Sequence, residues 1–175
     1  MSVFVEQFIE KAANAGAEVK QFSRVHDGVD FLKDFFRNNK VNSCLISADL
    51  KRTNPFNKEF SHLGTKLPEG SLWVEAGIVA ADYGVAETGT AVHFDRSDEE
   101  KNVWTLPEIC FCFIERKKIV TNLGTLAPEI SKHLARTDIL SPQVSLVTGP
   151  SRTADIECQL TIGVHGPSRL IILLV

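Results

Sequence analysis

The sequence predicts an α/β fold, a mainly parallel sheet flanked by helices on both faces. Segments with helical apolar spacing alternate with short aliphatic or β-branched runs along the whole chain. The chain also finishes in "LIILLV", Leu170 to Val175, an unbroken aliphatic run suited to an inner strand of a parallel sheet. With 175 residues and no internal repeat, low-complexity tract or linker, a single domain with a substantial core is expected.

Each element follows from its own pattern. In "VFVEQFIEKAANAG", Val5, Phe8, Ile9 and Ala12 share one helical face and Gly16 is a natural stop. "AEVKQFS" reads as a strand. "DGVDFLKDFFRNN" is a helix that buries Val29, Leu32, Phe35 and Phe36, with Asp27 placed to cap it. "SCLISA", Ser43 to Ala48, is a buried strand, and Asp49 to Gly70 is the least regular part, a loop with a short helix. "SLWVEAGIVAADYGVAETGTAVHF" predicts short strands with a tight turn among its glycines. "EICFCFIE" is a strand, and "VTNLGTLAPEISKHLA" a helix interrupted near Gly124 and Pro128. "QVSLVTG" is a strand, "SRTADIECQLTIG" a short helix, and "SRLIILLV" the last strand.

Composition narrows the partners. Hydrophobic residues make up 43% and charged residues 23%, as in ordinary globular proteins. A net charge of −3 speaks against nucleic acid, which requires a clustered basic face. Arg116-Lys117-Lys118 and Lys51-Arg52 read as solvated turns. The longest aliphatic run is too short to span a bilayer, so no membrane partner is expected. Glu6, Glu10 and Lys11 interrupt the apolar pattern of the first segment, unlike a secretory signal, and the expected location is cytoplasmic.

Of the four cysteines, Cys44, Cys110, Cys112 and Cys158, a reducing compartment keeps thiols rather than disulfides. Strand alternation points Cys110 and Cys112 to one face, but two ligands are too few for a cluster and no Cys-x-x-Cys occurs. No metal site and no cofactor are expected in this chain.

Two polar segments carry the functional candidates. Thr88-Gly89-Thr90, beside Glu87, sets two hydroxyls around a backbone that only glycine leaves uncovered. Glu87 is a candidate base; an architectural reading of the same residues is a hairpin turn with a positive-φ glycine. In the second segment Ser151 or Thr153 would cap the predicted helix, with Asp155 in its first turn. Its N-terminal N–H groups, reinforced by Arg152, would hold a phosphate or carboxylate. The plain alternative is capping alone, with Arg152 paired to Asp155 or Glu157. His165, between Gly163 and Gly166-Pro167, reads equally as a structural donor or a site acid–base. The glycine spacing matches neither a Walker loop nor a dinucleotide fingerprint.

Taken together, "VAETGTAV", "TLPEICFCFIERKKIV" and "TGPSRTADIECQLTIGVHGPSRLIILLV" resemble the lactate-utilisation protein C family, the LUD domain. The motifs cover Leu72 to Val175 and the architecture covers the whole chain, implying one LUD domain over residues 1–175. The resemblance implies a fold similar to the glucosamine-phosphate isomerase, ribose-phosphate isomerase and CoA-transferase group. It also implies oxidation of L-lactate to pyruvate alongside iron–sulfur partner subunits, which would hold the clusters. Cys110 stands where this family often has His. Under this reading Glu87, Asp155 and His165 are the catalytic candidates. Thr88, Gly89, Thr90, Ser151, Arg152, Thr153, Glu157 and Gly166 are candidates for an anionic small-molecule site. A homodimer is left open. The rival readings are a stand-alone enzyme for acyl or phosphate compounds with Glu87 as nucleophile or base, and a non-catalytic interaction module.

Overall fold

The computed structural model describes residues 3–52, 55–60, 74–140, 142–154, 160–163 and 165–175. Its centre is a five-stranded sheet, parallel throughout. The strands are β1 (Glu18–Gln21), β2 (Cys44–Ile46), β3 (Val74–Ala80), β6 (Pro107–Ile114) and β11 (Arg169–Leu174), in the order β1-β11-β6-β3-β2. The aliphatic tail is therefore an inner strand, as its composition predicts. It pairs with β1 on one side and β6 on the other.

Strand alternation sorts the side chains into two layers. Cys110, Cys112 and Ile114 of β6 and Leu170, Ile172 and Leu174 of β11 meet α1 (Val3–Asn14) and α5 (Asp98–Thr105). The opposite faces, Phe111, Phe113, Ile171 and Leu173, meet α2 (Val25–Asn39), α3 (Ala48–Arg52) and α4 (Asn57–Phe60). Helical spacing places Val5, Phe8 and Ala12 of α1 in the core, and Val29 and Leu32 of α2. Asp27 does not cap α2. It lies in the first turn and pairs with Arg24 at 2.8 Å, while the helix start has no side-chain cap.

A second sheet, of order β7-β4-β5-β8, covers part of the first layer. It joins β4 (Tyr83–Val85), β5 (Thr90–Asp95), β7 (Ile119–Val120) and β8 (Gln143–Val147). Ala91 and Val147 face the main core. Val85, Val92 and Phe94 face outward onto Leu126 of a 3₁₀ turn (Leu123–Leu126) and α6 (Ala127–Leu134). The stretch predicted as one interrupted helix thus divides into β7, the 3₁₀ turn and α6. The cause is local: the Asn122 side chain accepts the Thr125 N–H at 3.1 Å and starts the turn.

The helix predicted over "SRTADIECQLTIG" is absent from its described residues. Arg152–Ala154 (β9) pairs antiparallel with Leu160–Ile162 (β10), with Thr153 opposite Thr161. Gly163, at φ +81°, follows a strand rather than ending a helix. Among the described residues no helix is long and apolar enough to cross a membrane.

Candidate functional site

The two polar segments meet at the C-terminal end of α1. Gly89 lies in the turn between β4 and β5 at φ +69°, and its N–H donates to the Val85 carbonyl at 2.9 Å. A Cβ on Gly89 would run into the backbone of Lys11 and Ala12. Glycine is required here for both conformation and contact. Beside it the Thr88 and Thr90 hydroxyls lie 2.6 Å apart, and Thr90 reaches the Thr148 hydroxyl, also at 2.6 Å. Gly149 (φ +76°) packs on Ala15, and the Arg152 guanidinium donates from Nη2 to the Ala15 carbonyl at 2.7 Å. Arg152 therefore closes the end of α1, and it opens β9 rather than a helix. Glu87 and Thr88 are exposed on the hairpin.

Past Thr148 the chain borders a cleft of about 390 Å³. Its walls include Lys101, Trp104 and Thr105 of α5, Cys110 of β6, and the segment from Ser145 to Gly149. Ser151, His165 to Pro167 and Leu170 complete them. The Ser151 N–H donates to the Pro167 carbonyl at 2.8 Å, and the Gly163 N–H to the Ser151 carbonyl at 3.0 Å. These bonds tie the Ser151 corner to the His165-Gly166-Pro167 corner. Gly166 sits against Ser151 so closely that a Cβ would press on the serine side chain. His165 is exposed on the rim, which it shares with a second cleft of about 360 Å³ lined by Glu108, Gly163 and Ser168. The cleft opens at the amino ends of β6 and β11. Ligands of open parallel sheets more often gather at carboxyl ends.

Of the sequence candidates, Ser151, His165 and Gly166 line the cleft, and Thr90 supports it through Thr148. Glu87 is absent from the described lining. Thr153 is in β9, and Asp155, Glu157 and Cys158 lie outside the described residues. Burial pushes the Cys110 and Cys112 thiols far up, so both behave as core residues rather than nucleophiles.

A second polar cluster escapes the sequence reading. At the carboxyl ends of β2 and β3, His93 is 1% exposed among Asp82, Asp95 and Glu100. Its Nδ1 lies 3.3 Å from Asp82 Oδ2, and its Nε2 lies 3.6 Å from Glu100 Oε2 and 3.9 Å from Asp95 Oδ1. Arg96 bridges Asp49 and Asp82. Burial alone would lower the imidazole pKa, but the Asp82 and Glu100 carboxylates prevail and push it up to about 10. Burial raises Asp49, and the Glu100 charge adds to the effect. The cluster adjoins the cleft. Ser145 donates to Asp95 Oδ2 at 2.6 Å, and the Trp104 ring lies 5.8 Å from that of His93. The only local sequence signal is "HFD", which sets His93 and Asp95 on one face of β5; Asp49, Asp82 and Glu100 arrive from separate elements.

Lactate utilization protein C of Geobacillus thermodenitrificans is 28% identical over 109 residues, 62% of this chain and 45% of the relative. The protein of that name from Halalkalibacterium halodurans is 33% identical over 106 residues, covering 61% and 46%. That from Bacillus subtilis is 32% identical over 99 residues, covering 57% and 41%. The chain thus spans a little under half the length of these relatives. A crystal structure of a DUF162 family protein from Deinococcus radiodurans superposes with a TM-score of 0.63 at 15% identity, covering 98% of this chain and 96% of that one. At that identity the likeness is one of fold. The LUD domain description matches residues 5–175, nearly the whole chain, and the chain belongs to the LUD domain family.

Proposed function

We propose that this chain works in lactate utilisation by holding a small carboxylate-bearing ligand in the cleft between the Thr148–Ser151 and His165–Pro167 corners. The observation that carries this reading is the convergence on one concave surface of two motif segments with a cation and hydroxyls. Lys101, Thr148, Ser151 and His165 all line it. A carboxylate there would meet the Thr148 and Ser151 hydroxyls on a wall that also carries Lys101. His165, at the rim, can donate or accept a hydrogen bond to the ligand. The names of the relatives support the assignment to lactate.

Conversion of L-lactate to pyruvate releases two electrons and two protons. In this reading the electrons pass to iron–sulfur partner subunits, and the present chain binds and orients the anion. This reading leaves Arg152 out, because it is absent from the described lining and its guanidinium donates to the Ala15 carbonyl. The group-transfer reading with Glu87 as nucleophile draws no support from the exposed hairpin on which Glu87 stands.

Calorimetric titration of the purified chain with lactate and pyruvate, repeated on Ser151→Ala and His165→Ala, tests the site. Saturable binding weakened by both substitutions is expected. Equal heats for the wild type and both folded variants would remove the cleft from consideration. Growth on lactate of a strain carrying each variant, with pull-down of iron–sulfur subunits, tests the cellular assignment.

A further inference from the structure

We propose that Asp49, His93 and Glu100 form a binding site for a divalent transition-metal ion behind the cleft, with Asp82 orienting the imidazole. Their ligating atoms lie within 4.8 Å of one another. Donors about 2.1 Å from a first-row ion stand roughly 3–4.2 Å apart around it, so closure needs displacements of about 1 Å or less.

The independent observation is His93 itself. It is 1% exposed, and among the described residues neither ring nitrogen makes a hydrogen bond. Asp95 Oδ1, buried beside it, also lacks one. Groups so placed are normally hydrogen-bonded, and the carboxylate contacts of 3.3–3.9 Å at His93 leave that need only partly met. Nε2 faces Glu100 and Asp95, while Nδ1 faces Asp82. That is the arrangement in which a metal-bound imidazole directs its remaining N–H at a carboxylate. Asp82 is itself fixed, accepting the Phe94 N–H at 2.8 Å and an Arg96 N–H at 3.2 Å.

Charge leads to the same assignment. Asp49, Asp82, Asp95 and Glu100 gather at His93, and the Arg96 guanidinium bridges Asp49 and Asp82. A divalent ion among them would add positive charge where acidic side chains outnumber cationic ones. Buried excess charge of this kind calls for a counter-ion. One imidazole and two carboxylates suit Mn²⁺, Fe²⁺ or Zn²⁺ better than Ca²⁺ or Mg²⁺, which prefer all-oxygen sets. Access runs through a cavity of about 80 Å³ that reaches Asp49 and Asp82 between Phe56 and Lys118. The site stands just beyond β2 and β3, where open parallel sheets commonly bind ligands.

The test is titration of chelator-stripped full-length chain with Mn²⁺, following the free-ion electron paramagnetic resonance signal, with Co²⁺ absorption as a second readout of nitrogen–oxygen ligation. One equivalent bound per chain is expected. Asp49→Asn and Glu100→Gln should each weaken binding at least tenfold. Asp82→Asn should weaken it about 10- to 100-fold, as loss of an orienting carboxylate does. Variants are compared after each shows a cooperative melt. The wild-type titration decides the matter without any variant: Mn²⁺ and Co²⁺ both left free at millimolar concentration overturn the site. Unchanged binding in folded Asp49→Asn and Glu100→Gln overturns it as well.

Discussion

Thr90 and Thr148, fifty-eight residues apart in sequence, share a hydrogen bond of 2.6 Å that fastens the β4–β5 turn to the corner leading into the cleft. Thr90 is buried and also meets the Thr88 hydroxyl at 2.6 Å, so it is the middle member of a chain of three. Thr90→Val keeps the shape and removes both contacts. At about 0.5–1.5 kcal/mol for each net hydrogen bond, the loss is ~1–3 kcal/mol. In a domain of this size each kcal/mol lowers the melting temperature by roughly 2–4 °C. A double-mutant cycle with Thr148→Val should show coupling between the two sites, since they share a bond. Strict additivity in the thermal melts would dissolve the link.

Most of the fold was legible in the sequence because its signals are local. Helical spacing in α1 and α2 and the aliphatic run of β11 each dictate an element without reference to the rest of the chain. Where pairing partners decide, the sequence reading erred. β9 and β10 are three residues each, too short for periodicity to separate strand from helix, and their cross-strand pairing is what defines them. The same pairing takes Arg152 from the predicted helix start into β9. The Ser151 and His165 corners were legible through their Gly-Pro turns. The His93 cluster was not, because Asp49, Asp82, His93 and Glu100 are united by sheet topology rather than by spacing.

Arg152 distinguishes an anion-binding role from a structural one. From the sequence, Arg152→Ala should weaken binding of an anion. From the structure, the guanidinium serves the Ala15 carbonyl at the end of α1, from an exposed position. A cation at a helix C-terminus contributes typically ~0.3–1 kcal/mol. The variant is expected to melt slightly earlier than the wild type and to show an unchanged lactate- or pyruvate-induced thermal shift. Loss of that shift in a normally melting variant would return Arg152 to the binding site.

Removal of Ile171 to Val175 should abolish folding. Ile171, Ile172, Leu173 and Leu174 are fully buried between β1 and β6 and supply both core layers. Burial of each such side chain is worth ~1.5–3 kcal/mol. Four of them rival the ~5–15 kcal/mol net stability of a typical domain. Expression of the truncated chain should yield insoluble or non-cooperatively melting protein, and a soluble product with a sharp melt would place the tail outside the core.

Acid sensitivity should reside in part at Glu75. Its Oε2 accepts the N–H groups of Asn42 at 2.5 Å and Ser43 at 2.7 Å, joining the start of β2 to β3. These backbone donors favour the carboxylate and hold its pKa below the ordinary value of 4.5. A folded-state pKa below the unfolded one means that the contribution to stability is fully present above the unfolded value. It is then lost as pH falls through the folded value, because the protonated carboxyl is the weaker acceptor. Glu75→Gln should therefore reduce stability at neutral pH. It should also flatten the stability profile below about pH 4.5, near the reference carboxyl range. Urea denaturation of both proteins from pH 7 to pH 3 reads the difference directly. Parallel profiles across that window would mean that the carboxylate at Glu75 confers no charge-dependent stability on the β2–β3 junction.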